Sequence, residues 1–166
     1  MRIAALILAA GSGTRFGSVR PKQFVALGGA PIVAHAARAF TGHSRIDRVL
    51  LVGPVEALAT ACPDFPKAGL VPGGATRQDS ARAGLEALAA DLPDAVLIHD
   101  AARPLVPARV IDAVCDALID GTEAVLPALP VTDTLKRAAD GIVTGTVARE
   151  GLWRVQTPQG FRFGPI

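Results

Sequence analysis

Ile3-Ala-Ala-Leu-Ile-Leu-Ala-Ala-Gly-Ser-Gly-Thr-Arg-Phe-Gly17, closed by Pro21-Lys22-Gln23, is the stretch that decides the fold. Residues 3–8 form an apolar run of strand length, too short for a helix before the glycines begin. The run empties into a loop with glycines at 11, 13 and 17, and Arg15 and Lys22 add two cations with no acid between them. A buried strand delivering an amide-rich, cationic loop is a phosphate site in outline.

Working outward, Arg48-Val-Leu-Leu-Val52 and Ala95-Val-Leu-Ile98 repeat the short apolar run, with a weaker strand at 69–72 and a further strand at 124–126. Between them lie helix-length segments. One starts with Pro31 in its first position and runs to about Phe40, and a short one covers 55–61. Another is capped by Thr76 or Asp79 and runs to about Ala90, and the last spans Pro107 to Ile119. Strands alternating with helices of this length predict an α/β domain with a mainly parallel sheet. Ligands of such sheets gather beyond the carboxyl ends of the strands. The Gly11 loop, the Gly73-Gly74 loop and His99-Asp100 are therefore expected along one rim. From Pro127 the pattern changes: Val131–Lys136 and Gly145–Arg149 read as two extended arms around an Ala139-Asp140-Gly141 turn, a protruding β-hairpin at about 130–150.

Composition narrows the function classes. Half of the 166 residues are hydrophobic, 19% are charged and the formal net charge is +2, which excludes a disordered chain and a strongly basic nucleic-acid binder. Aromatics make up 4% with no Tyr, so stacking platforms for single strands are not expected. No run is long enough to span a membrane, and the apolar start lacks a cleavage site. Cys62 and Cys115 have no metal-ligand spacing and read as buried reduced thiols, so a cytoplasmic protein is expected.

Neither standard phosphate motif fits the first loop. Its glycine spacing is GxGxxxG instead of GxGxxG, Gly53-Pro54 stands where a ribose-binding acid would follow the second strand, and no Gly-Lys-Ser/Thr occurs. Alone, a glycine loop after a strand is weak evidence, and a tight turn with no ligand stands beside the phosphate reading.

The wider string is more specific. Leu8-Ala-Ala-Gly-x-Gly-Thr-Arg-Phe with Pro21-Lys22 resembles the nucleotidyltransferases that join a sugar or polyol phosphate to a nucleoside triphosphate. Pro21-Lys22-Gln23, Gly73-Gly74-x-x-Arg77-x-x-Ser80, His99-Asp-Ala-Ala-Arg-Pro104, Asp133-Thr134, Gly151-Leu-Trp153 and Thr157-Pro-Gln159 are similar to the methylerythritol phosphate cytidylyltransferase family within that group. The resemblance implies a Rossmann-like three-layer fold and transfer of CMP from CTP to a polyol phosphate, with Mg²⁺ as cofactor. It implies Arg15 and Lys22 as catalytic cations on the α-phosphorus. CTP binding falls to Ala9, Ala10, Gly11, Gly13, Gly74 and Ser80, polyol-phosphate binding to Arg103, Thr134 and Arg149, and the metal neighbourhood to Asp100. It also implies a homodimer in which the arm crosses to a partner subunit.

Beside these stand plainer readings. Ser80 caps its own helix, Asp100 pairs with Arg103, and the arm is an edge hairpin on its own domain. Arg77 either shapes its loop or faces a phosphate, and His99 reads as structural because no proton needs abstracting. Ala75 follows Gly74 where some members carry a polar residue, which puts one ribose or base contact in question. Residues 1–166 are expected to be one nucleotidyltransferase domain lacking its C-terminal part, either a fragment or cut from a longer, bifunctional enzyme. The rivals are a cytidylyltransferase for another alditol phosphate, such as ribitol 5-phosphate, and a nucleotide-binding regulatory domain without turnover.

Overall fold

The structure, a computed structural model, describes residues 1–11, 21–63, 65 and 68–164. Strand β1 (Ile3–Leu8) is buried at all six positions. Its side chains alternate between two cores. Ile3, Ala5 and Ile7 enter one, and Ala4, Leu6 and Leu8 enter the other. A strand buried on both faces must be apolar throughout, which explains why the run shows no alternation. Within strands β4 (Arg48–Gly53) and β6 (Ala95–Asp100) the runs 49–52 and 95–98 follow the same rule, with Val49, Leu51 and Leu97 on one side and Leu50, Val52 and Val96 on the other.

Between β1 and β4 a one-turn 3-10 helix (Lys22–Phe24) leads into the short pair β2 (Ala26–Leu27) and β3 (Ala30–Pro31). Helix α1 (Ile32–Thr41) then follows, with Pro31 at its N-cap, one position earlier than the sequence suggests. Helix α2 (Val55–Ala61), strand β5 (Ala68–Pro72) and helix α3 (Arg77–Leu88) come next, then β6 and helix α4 (Ala108–Ile119). Thr76 and Asp79 are both part of the start of α3: they form a reciprocal capping box, which satisfies two amides of its first turn.

Helices α1, α2 and α4 cover the larger core, and α3 covers the other face, giving three layers. The six-stranded sheet has the order β5-β4-β1-β6-β12-β7, where β7 is Ala124–Val125 and β12 is Gln159–Arg162. β1, β4, β5 and β6 are parallel, and β12 runs antiparallel between β6 and β7. The chain winds from β1 outward to β5 and then returns to the far side of β1. β1 and β6 therefore flank a switch point, where a crevice opens beyond the strand ends.

The arm has two stages. Strands β8 (Ala128–Pro130) and β11 (Trp153–Val155) pair as its stem, and β9 (Leu135–Ala139) and β10 (Ile142–Val147) form the hairpin. Asp140 and Gly141 have φ of 50° and 79°, the two positive values that a tight two-residue hairpin turn requires. Among the described residues no helix is long and apolar enough to cross a membrane.

Candidate functional site

The register fixes the rim. Leu8 lies opposite Val52 on one side and Asp100 on the other, and Gly53 lies opposite Pro72. The segments leaving β1, β4, β5 and β6 therefore share one edge, as the sequence suggests.

Ala10, Gly53, Pro54, Val55, Glu56, Pro72, Gly73 and Gly74 line a cavity of about 370 Å³ there. Its floor is packed backbone against backbone. A methyl group on Gly73 would stand 2.5 Å from the Ala10 Cβ and 3.1 Å from the Gly53 Cα, so only glycine fits. Ser80, 1% exposed, sits beneath this loop. Its hydroxyl accepts from the Gly74 amide (3.1 Å) and donates to the Thr76 carbonyl (2.9 Å). It therefore holds the glycine loop from inside. Ala9 is similarly committed to the fold: its amide donates to the Val52 carbonyl and its carbonyl accepts from Gln23. Gly11 is exposed at the end of this segment.

On the other side of the switch point, Asp100 lies between two arginines. Arg77 Nε is 3.0 Å from one carboxylate oxygen and Arg103 Nε is 3.6 Å from the other. The expected pairing of Asp100 with Arg103 is present, and Arg77 adds a second pair that joins the α3 start to the end of β6. Two glutamines back the arginines: Arg77 donates to Gln159 Oε1 at 3.4 Å, and Arg103 donates to Gln156 Oε1.

Under this cluster His99 is wholly buried, its ring 4.8 Å from that of Phe40. His99 Nε2 lies 3.0 Å from the Arg103 carbonyl, which can only accept, so the proton is assigned to Nε2. Nδ1 then accepts from the Thr157 hydroxyl at 2.9 Å, and that oxygen faces the Asp100 amide at 3.4 Å. Burial pushes the imidazole below its ordinary value, partly opposed by the bond to Arg103, and the ring is neutral. With both nitrogens occupied, it is built into the wall and is no base.

Among the described residues, no group of three His, Cys, Asp or Glu side chains converges to hold a metal. A single rim carboxylate already facing two guanidinium groups does not make a resident cage. It does fit a magnesium ion that arrives with phosphate oxygens and water as its other ligands.

Of the remaining sequence-derived positions, Lys22 is exposed at the start of the 3-10 turn. Thr134 and Arg149 are exposed on the arm, and Arg149 donates to the Thr132 carbonyl within it. Gly13 and Arg15 lie outside the described residues. Gln23, Gln156, Thr157 and Gln159 carry no role in the sequence reading, although Gln23 and Thr157-Pro-Gln159 stand in the quoted motifs. A Gln between a charged residue and a buried Phe was the available signal for Gln23.

A mainly parallel sheet with a glycine-walled cavity on its rim and cations gathered across the switch point defines a Rossmann-like α/β domain. The chain belongs to the 2-C-methyl-D-erythritol 4-phosphate cytidylyltransferase family, whose model matches residues 3–166. It is 49% identical over 166 residues to the bifunctional enzyme IspD/IspF of Granulibacter bethesdensis, covering 100% of this chain and 43% of that one. It is 43% identical over 175 residues to 2-C-methyl-D-erythritol 4-phosphate cytidylyltransferase of Streptomyces avermitilis, covering 96% of this chain and 70% of that one. The crystal structure of a 4-diphosphocytidyl-2C-methyl-D-erythritol synthase superposes with a TM-score of 0.83 at 32% identity, covering 98% of this chain and 76% of that one. The chain spans 42–44% of the length of the curated bifunctional relatives it matches.

Proposed function

We propose that this chain is a nucleotidyltransferase domain that transfers CMP from CTP to 2-C-methyl-D-erythritol 4-phosphate, releasing pyrophosphate. The observation that carries the reading is the rim itself, a backbone-lined cavity and an Arg77–Asp100–Arg103 cluster on the two sides of the β1/β6 switch point. An acceptor phosphate oxygen forms a bond to the α-phosphorus of CTP while the bond from that phosphorus to the bridging oxygen breaks, and the electron pair leaves with pyrophosphate. The attacking oxygen is already ionised, so the protein must position and neutralise; it need not abstract a proton. That requirement agrees with the buried, fully engaged His99.

In this reading Ala10, Gly11, Gly13 and Gly74 cradle the nucleotide through backbone groups, and Ser80 keeps the Gly74 loop in shape. Ala9 contributes through its place in that backbone. Lys22 and Arg15 neutralise charge at the α-phosphorus, Lys as a mobile point charge and Arg as a fixed fork. Arg103 receives the acceptor phosphate, and Asp100 would hold magnesium. When bound, the ion would offset negative charge on the triphosphate.

Thr134 and Arg149 are read as reaching the rim of a second copy. The support is the arm's exposed apolar surface, with Ile142 70% and Trp153 59% exposed. A homodimer in the cytoplasm completes the reading.

The test is pyrophosphate release by the full-length native chain with CTP, magnesium and either methylerythritol phosphate or ribitol phosphate. Release with the first acceptor is expected, release with only the second would transfer the activity to another alditol, and release with neither would refute the enzyme. Mixing Arg103→Ala and Arg149→Ala chains should restore activity through hybrid dimers; no recovery argues against the shared site.

A further inference from the structure

One group in the Pro21-Lys22-Gln23 stretch is unused by the reaction above: a side-chain amide, almost wholly buried. Gln23 is 5% exposed, and its Nε2 lies 2.6 Å from the Ala9 carbonyl and 2.8 Å from the Gly11 carbonyl. Two acceptors this close settle which end of the amide is nitrogen, because only nitrogen donates to both. In a trans peptide the C=O and the next N–H point opposite ways. Turning the Ala9 carbonyl to Gln23 therefore turns the Ala10 amide away from it.

The same residue sits in the turn that begins with Lys22. That turn is closed by Phe24 N–H to the Pro21 carbonyl (3.0 Å) and Val25 N–H to the Lys22 carbonyl (3.1 Å), and Phe24 anchors it in the larger core. One side chain thus ties the exit of β1 to the turn carrying the candidate catalytic lysine.

We propose that Gln23 is a positioning residue for nucleotidyl transfer: its amide sets the conformation of the Ala9–Gly11 exit that receives the nucleotide and fixes where Lys22 stands relative to it. The inference rests on reading the rim as a nucleotidyl-transfer site. Its chemistry is specific to a donor. An ionised glutamate at this position has the right length but presents oxygen to oxygen, whereas a protonated one regains a single O–H donor. Methionine has nearly the volume and no donor at all.

The experiment compares the full-length native chain with Q23E and Q23M between about pH 5.5 and 8, a window in which a buried glutamate can titrate. It reads pyrophosphate release, calorimetric CTP binding and thermal melts. Q23M should lose about 100-fold in kcat, the scale of a small misplacement at a reacting centre, by a factor that does not change with pH. Q23E should show at least that deficit at the alkaline end and recover relative to wild type as pH falls.

Wild-type kcat in both variants, or equal and pH-independent deficits, would overturn the proposal. A residue that only supports the fold would lower the melting temperature and leave the ratio of Q23E to wild type flat with pH. Should Q23E not fold, Q23M alone decides, since full activity there overturns the role and a folded protein with the stated loss supports it. Should wild type release no pyrophosphate, the assigned reaction fails and CTP affinity decides on Gln23: acid recovery of Q23E binding supports it, and equal affinities in all three forms overturn it.

Discussion

Replacing Gly73 with alanine tests whether the rim cavity is the working site and whether its floor is as tight as the geometry indicates. The new Cβ would stand 2.5 Å from the Ala10 Cβ, 3.1 Å from the Gly53 Cα and 3.4 Å from the Ser80 Oγ. The first two are atoms that no side-chain rotation can move. Ordinary contact begins at 3.4 Å, so Ala10 and Gly73 must separate by about 1 Å. Overpacking of this kind costs about 1–3 kcal/mol. Stiffening the unfolded chain returns only about 0.4–1 kcal/mol, so destabilisation wins. For a chain of this length that is a fall of about 2–4 °C in melting temperature per kcal/mol.

The larger effect falls on activity, because Ala10 and Gly73 line the cavity and a 1 Å displacement costs about 100-fold in kcat/KM. Thermal melts and steady-state kinetics in CTP read the two effects separately. Gly11→Ala is the stability control: a Cβ there meets no atom of the described residues within 4 Å, and its melting temperature should stay within about 2 °C of wild type. Wild-type melting and wild-type kcat/KM in Gly73→Ala would refute the reasoning.

Ser80→Ala leaves the Gly74 amide without its buried acceptor, at a cost of about 1–3 kcal/mol, and should raise KM for CTP; unchanged melting and KM would contradict the loop-holding role. His99 contributes through a neutral ring whose pKa is lowered by burial, so its contribution is complete above the ordinary value of about 6.5 and is lost as pH falls through the lowered folded value. Wild type should therefore lose more melting temperature than His99→Gln between pH 8 and 5, about the span that brackets an imidazole, and parallel curves would exclude the linkage. Burial pushes both Cys62 and Cys115 up to about 11. An aromatic disulfide reagent at about pH 8 should find neither thiol in the folded chain and both after denaturation, and rapid labelling of the native state would show that one is open.

The sheet core was legible because strands buried on both faces carry unbroken apolar runs: all of β1, 49–52 of β4 and 95–98 of β6. Those runs write β1, β4 and β6 directly into the chain. The Asp140-Gly141 turn was legible for the same local reason, since few residues adopt two successive positive φ values. The rim could be inferred once the strands were taken as parallel. Strand β12 could not. Gln159-Gly-Phe-Arg162 has neither a continuous apolar run nor a clean alternation, and it becomes a strand because β6 and β7 leave a slot between them. The stem pair β8 and β11 likewise depends on a partner far along the chain.

Within the site, the local sequence determined the glycines, the cations and the Thr76–Asp79 cap, because each acts on backbone within a few residues. Tertiary structure decided which charges meet. Arg77 and Arg103 reach opposite oxygens of Asp100 because the α3 start and the β6 exit converge beside the switch point, while Gln156 and Gln159 arrive with the antiparallel return of β12. Gln23 was present in the motif from the outset. Only packing could give it work: an amide acquires a fixed pair of carbonyl partners when burial removes water as the alternative.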